Sequence, residues 1–577
     1  MLKFDVVLAL KNCISIQRCT LLMGSAMALL VVAVDATAST ITWNNAGGTG
    51  DGVTWDINNN QNWNNGAPTV YNDGDNVNFN DTNNGNYNIT VSGSVAPASF
   101  TATNTGSAYN ITIGSGQSLS VAGNVSLGQT TLNLNTAVNL IGGGSFSETA
   151  GNLVLSLSNA LANPAPEGDL TASGLTSFIY NNSAGQVQLG VGTRASGKLV
   201  LANTGSSANT IIASQIRVGD SASTNAGGAS SQITLGGGMN TLDADTISIG
   251  FGKAAGIIAG TAGGTVTIAG TAGGSNNANI TVGHQSSGTA TSNHSQFFLT
   301  GMNATVQAGT LIVGQLAGAT GGTAIGEAKF DTGTFTVGTS LQIATDSSGN
   351  DAGGTTGTFT LGTNSTDTGV LDVSGNLIIG NVTSSSTTVK TDTASFIING
   401  GTANIHTDIT TANGKPATTT IKSTLGLLGG VLNMNGNQIG HVSGNNVVIG
   451  TVNMPASGKS AVLLNLGGTG INDAGLTANG GGSLILGGTD TYSNNTNVTN
   501  TSTLLLDGSY TGTGSFSVNS GSTLGGKGST VGLVSILGGG NLSPGDSINT
   551  LGVGAASLAG TLNIELNDAD PNVVDLL

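Results

Sequence analysis

Between Ile216 and Gly380 the chain keeps returning to two short apolar phrases separated by Gly-, Ala-, Ser- and Thr-rich filler. One phrase reads Ile216-Arg217-Val218-Gly219, Ile247-Ser248-Ile249-Gly250, Ile280-Thr281-Val282-Gly283, Leu311-Ile312-Val313-Gly314, weakly Leu341-Gln342-Ile343-Ala344, and Leu377-Ile378-Ile379-Gly380; its fourth positions lie 31, 33, 31, 30 and 36 residues apart. The other opens at Ile233, Val266, Phe297, Ala328, Phe359 and Phe396, at steps of 33, 31, 31, 31 and 37. Two phrases keeping one period mark a stacked-repeat architecture. Each alternates apolar and polar over three or four residues and then meets a turn residue, which is strand patterning. A third, weaker piece (Val306, Phe335-Thr336-Val337, Leu371-Asp372-Val373) lies between them. Three short strands per coil predict an all-β fold, a β-solenoid whose stacked coils bury a continuous inner column. A β-propeller or sandwich array is the alternative, and strands this short with so many small turn residues fit it less well.

Composition narrows the class. Gly contributes 94 of 577 residues, only 7% are charged and 4% aromatic, so helical domains are not expected. Regularly placed hydrophobic residues, 37% of the chain, argue equally against disorder. With 13 Lys and Arg and a net charge of −16, the chain lacks the basic surface that nucleic acid requires, and no nucleic-acid partner is expected.

Residues 1–38 read as a signal peptide: Lys3, Lys11 and Arg18 precede an apolar run from Leu21 to Val34, and Ala36-Thr37-Ala38 supplies the small-x-small site. A retained anchor is the alternative, but the run is short for a span and Asp35 follows at once, so no membrane span is expected in the mature chain. Both cysteines, Cys13 and Cys19, fall in this segment, which leaves the rest without disulfides or thiolate metal sites.

Residues 39–98 form a distinct module holding every tryptophan: Trp43, Trp55 and Trp63. A solenoid must cover its first coil, and large aromatics make a suitable cap. Their alternative role is stacking against glycan rings. Asp73, Asp75, Asn78 and Asp81 have the oxygen chemistry of a calcium site, but Val77 stands where a third ligand belongs, and a solvated turn is the expected reading. Residues 99–200 carry less regular strand pieces, and residues 201–413 the regular coils of about 31 residues.

From 414 to 577 the pattern changes. Gly482-Ser483-Leu484-Ile485-Leu486-Gly487-Gly488-Thr489-Asp490-Thr491-Tyr492 is followed by Ser502-Thr503-Leu504-Leu505-Leu506-Asp507-Gly508, Gly521-Ser522-Thr523-Leu524-Gly525-Gly526-Lys527-Gly528 and Leu542-Ser543-Pro544-Gly545-Asp546-Ser547. These phrases resemble the autotransporter-associated β-strand repeat of bacterial passenger regions, over about 85 residues strongly, and the tryptophan module resembles the opening segment of such proteins. The resemblance implies a right-handed parallel β-helix exported by a Gram-negative-type bacterium to the cell surface or beyond. Such proteins often end in a membrane β-barrel or sorting anchor. This sequence stops at Val573-Val574-Asp575-Leu576-Leu577 in mid-pattern, so either a continuation or release, or retention by an export or anchoring partner, is expected.

Little catalytic chemistry is visible. His284, His294, His406 and His441 have no Asp or Glu at metal-ligand spacing, and the Gly-Lys-Ser at 458–460 lacks the first Gly of a phosphate loop. Asp243 and Asp245, two apart on a strand, would share one face, with Arg217, Lys253 and Lys329 as the nearby bases. No catalytic, cofactor-binding or metal residue is assigned and no cofactor is expected. The expected function is a non-enzymatic structural or adhesive surface protein whose repeated Thr, Asn and Ser faces meet extracellular glycans, surfaces or copies of itself through many weak contacts. A secreted polysaccharide lyase or glycoside hydrolase is the alternative; it would need a carboxylate and a base clustered on one exposed sheet.

Overall fold

A computed structural model describes residues 38–44, 48–128, 135–158, 167–221, 229–286, 293–317, 322–348, 353–384, 389–414, 419–545, 548–567, 570–574 and 576–577. The segment read as a signal peptide lies outside them. All the regular elements among these residues are strands, almost all paired in parallel.

The first phrase stacks as its period predicts. Ile216, Ile247, Ile280, Leu311, Leu341, Leu377 and Ile409 are successive neighbours in one inward column. The glycine that closes the phrase is set by geometry. Gly219, Gly250, Gly283, Gly314 and Gly380 all have φ between 72° and 85°, and Ala344 takes the same left-handed turn at 55°. Space makes the same demand: a Cβ on Gly283 would sit 2.4 Å from the Ile325 carbonyl oxygen, and one on Gly314 2.4 Å from that of Thr356.

The weaker third piece proves to be a full column. Tyr180, Ile211, Leu242, Ile268, Val306, Phe335, Leu371, Ala403, Leu432, Leu463, Leu486 and Leu506 follow one another in register. In several coils these two faces belong to one bent strand, such as Asn303–Leu316 or Gly333–Asp346, instead of two separate short ones.

The third face is a 14-stranded sheet, parallel throughout. At about 4.8 Å per strand it extends roughly 65 Å. Its inward column runs Leu170, Leu199, Ile233, Ile258, Phe297, Ala328, Phe359, Phe396 and Leu425. Val266 is not in it, contrary to the second phrase: its strand Thr265–Ala269 lies on the Leu242–Val306 face, and Ile258 takes the expected place. The inner residues of all three faces merge into one core from Ile41 to Leu551.

The two ends of the described wall differ. Thr40–Trp43 pairs in parallel with Asn76–Phe79 on one side and antiparallel with Trp63–Asn64 on the other, which in turn pairs with Pro68–Thr69. From Ser483 onward the coil shortens: Leu484 pairs with Leu504 and Leu504 with Leu524, twenty residues per turn.

Candidate functional site

The three tryptophans are buried, at 0–1% exposure. Trp43 meets Trp63 edge-on at 5.2 Å, Trp55 meets Trp63 at 5.3 Å and Tyr71 at 5.4 Å, and Phe79 packs against all three tryptophans. Their indole N–H groups have no hydrogen-bond partner, so this cluster rests on ring packing. No ring face is open for a pyranose to stack on.

The Asp73, Asp75 and Asp81 carboxylates are each engaged internally. Asp73 accepts from the Tyr71 hydroxyl and the Ala96 amide, both at 2.8 Å. Asp75 accepts from the amides of Ser39 and Asn72. Asp81 accepts from Thr105 and Gly106 on the next coil, and those hydrogen bonds hold its carboxyl below the usual range against the opposing effect of burial. Among the described residues no group of three His, Cys, Asp or Glu comes together.

Asp243 and Asp245 do not share an open face. Strand Met239–Gly252 passes from one face to the next between Asp243, paired with Ala269, and Thr246, paired with Asn279. Asp243 is consequently buried, which raises its carboxyl, whereas Asp245 is exposed and its carboxylate accepts from the Thr271 amide. The nearby bases are otherwise committed. Arg217 is paired with Asp220, Lys329 binds Glu327 at 2.8 Å and lies over the Phe298 ring, and Lys253 is buried.

Stacking gives three histidines the carboxylates that local spacing did not show. His294 meets Glu327 at 3.5 Å, His406 meets Asp372 at 2.8 Å and His441 meets Asp473 at 3.0 Å. Each partner is one coil away. The fourth, His284, is half-buried and packs edge-on against Phe251 at 4.5 Å, and desolvation lowers it to about 4.

The least expected feature is the corner where the Leu311 face gives way to the 14-stranded sheet. Buried polar atoms without hydrogen-bond partners gather there in several coils: Ser221 Oγ, His284 Nε2, both side-chain atoms of Gln285, Asp346 Oδ2, Asp392 Oδ2 and Thr419 Oγ1. At its centre Lys390 Nζ lies 2.5 Å from Asp346 Oδ2, both side chains fully buried. Ser348 Oγ accepts from Lys390 at 2.6 Å and donates to Asp346 Oδ1 at 2.7 Å. Asp392 accepts the Thr355 amide at 2.6 Å; burial and the Asp346 charge push its carboxyl up to about 7. The alternation Lys390, Asp392, Ala394, Phe396, Ile398 places all five inward, a signal present in the sequence.

Outside this corner, a groove of about 190 Å³ is lined by Ile449, Val452, Met454, Ile471 and Thr477. That is smaller than the roughly 300–1,000 Å³ of ordinary ligand sites. On the outer surface Thr210, Thr241, Thr267, Thr305 and Thr334 stand in register, one per coil. No helix among the described residues is long and apolar enough to cross a membrane. Compared with family models, curated proteins and solved structures, the chain finds no match in any of the three.

Proposed function

We propose that this chain is an exported, non-enzymatic right-handed β-helix, serving as a structural or adhesive element at the cell surface or outside it. In this reading it is an autotransporter-passenger-like protein of a Gram-negative-type bacterium, and residues 39–98 are its N-terminal cap. The handedness follows the rule for parallel crossovers. An antiparallel edge ending in Pro68 is a known way to blunt a sheet against end-to-end pairing, which supports the cap.

The observation that carries the functional reading is the register of the outer surface. Threonines at 210, 241, 267, 305 and 334 repeat one hydroxyl and one methyl at every coil, about 4.8 Å apart. Such a row offers many identical weak contacts to a glycan, a surface or another copy, and their sum gives avidity without a pocket. The carboxylates and bases considered for polysaccharide cleavage are buried or engaged with neighbours, which does not favour a lyase or hydrolase.

The test is a binding and turnover screen. The purified chain should bind insoluble polysaccharides or itself weakly and multivalently, and Thr267→Asp with Thr305→Asp should weaken that binding while the fold is kept. Release of new chain ends from any polysaccharide would overturn the non-enzymatic reading.

A further inference from the structure

Lys390 is unlike the other paired lysines. Lys198 and Lys527 meet Glu167 and Asp507 with nearly half of each lysine side chain exposed, and Lys329 meets Glu327 with a third exposed. Water there solvates both charges, and the pairs are ordinary surface ion pairs. Lys390 and Asp346 have no exposure at all, and the ammonium meets Oδ2 outside hydrogen-bonding angles. A second buried carboxyl, Asp392, faces inward two residues further along the Lys390 strand. The Lys390 ammonium and the Asp346 carboxylate are thus buried, fixed by Ser348 and 2.5 Å apart, and Asp392, inward on the same strand as Lys390, is fixed by the Thr355 amide.

We propose that Lys390 and Asp346 condense to an intramolecular amide, with Asp392 relaying the protons, so that two adjacent coils are covalently joined. Lys390 Nζ attacks Asp346 Cγ. The Nζ–Cγ bond forms, and one Cγ–O bond breaks with its electron pair staying on oxygen. Two of the three ammonium protons end on that oxygen, which leaves as water, and Asp392 finishes as it began. No oxidant, metal or nucleotide enters the balance. Burial assists at each step: leaving two apposed charges in a low-dielectric site is costly, whereas the amide is neutral. Asp392, held near 7, can both accept and return a proton at neutral pH.

The joined residues are 44 apart in sequence and lie at the ends of strands Gly333–Asp346 and Lys390–Ile398. The bond would staple one coil to the next midway along a wall otherwise held by hydrogen bonds and packing. That would resist unpeeling of coils from either end.

Tryptic mapping of the purified full chain reads this directly. An acylated Lys390 is no longer a trypsin site, so the expected product is a single peptide running from Phe330 through Lys390 and beyond, lighter by one water. Dehydration of Asp346 alone would also remove water but would leave the cut after Lys390 intact, so the two signs together identify the amide. Lys390→Met should abolish the mass loss, and Asp392→Asn should leave Lys390 cleavable in a chain with unchanged far-UV circular dichroism. Complete cleavage after Lys390 in the unaltered chain, with both peptides at full mass, would overturn the proposal. An amide that persisted in Asp392→Asn would overturn the role given to Asp392.

Discussion

The coils between Ile216 and Asn413 and those between Ser483 and Pro544 share one inner wall and differ in how many residues they spend on it. The column through Leu432, Leu463, Leu486 and Leu506 crosses from one region to the other without a break. Yet the first region uses 30 or more residues in most turns and the second about twenty. Twenty residues therefore suffice for one turn of the shared wall.

The two regions also bury different polar groups. The long coils bury ionisable groups, Asp346, Lys390 and Asp392, at the corner before the 14-stranded sheet. The short coils, whose strands beyond the shared column form a separate seven-stranded sheet, bury aromatic hydroxyls: Tyr492 and Tyr510 meet tilted at 4.8 Å, Tyr510 donates to the Tyr492 carbonyl at 2.8 Å, and the Gly514 amide donates to the Tyr510 oxygen. Asp490 is the buried carboxyl of the short coils, accepting the Leu466 amide at 2.8 Å.

This comparison can be broken most forcefully at the core. Phe359→Ala empties a position between Ala328 and Phe396 and should cost about 3–5 kcal/mol by urea denaturation. Because coils contact only their neighbours, proteolysis should then begin near the mutated coil. A cost below about 1 kcal/mol would mean that the column is not packed as described.

The turn glycines give the next largest effect. Gly283→Ala adds a backbone clash to an unfavourable φ of 72° and should cost about 2 kcal/mol or more. Gly458→Ala has φ of 76° but open space, and should cost only about 1 kcal/mol. Equal melting temperatures for the two variants would show that the clash at the long-coil turn is relieved.

A pH effect probes the short coils. Burial raises the Asp490 carboxyl from 3.8 to about 7. The folded chain therefore keeps a proton that the unfolded chain releases. Its contribution is whole below about pH 4 and is lost as the pH climbs through 7. Asp490→Asn, which imitates the protonated form, should flatten the decline in thermal stability between pH 4 and 7, and an unchanged slope would contradict the burial.

Least costly should be the exposed pairs. Asp473 is held down at about 2 by bonds from Thr469, His441 and Val442, so its contribution is lost only as the pH falls into the acid range. His441→Ala should change stability by less than about 1 kcal/mol at neutral pH in a double-mutant cycle with Asp473→Asn.

How much of this was legible follows from the geometry of a coil. The Ile216 phrase could be read completely, even at its weak member Leu341, because strand alternation and a left-handed closing residue act together at every repeat. The Val266 assignment failed because that coil holds two apolar pieces, Ile257-Ile258 and Val266-Thr267-Ile268, and only the second fits the interval. The bend that separates Asp243 from Asp245 leaves no local mark in so short a segment. Local spacing does not reveal the histidine partners, because stacking makes a residue one period away a neighbour. The Lys390–Asp392 corner was readable by parity: counting back in twos from Phe396 puts both charges inside. Its partner Asp346 was not, since no repeat links it to Lys390.

The reading as an exported surface rod is tested most directly by finding where the chain resides in its native host. Intact cells and cleared medium would be probed with an antibody to the purified chain, before and after external protease. The expected result is chain on the cell surface that external protease removes, or chain free in the medium. Chain that stays inside intact cells, protected until the outer envelope is opened, would contradict it.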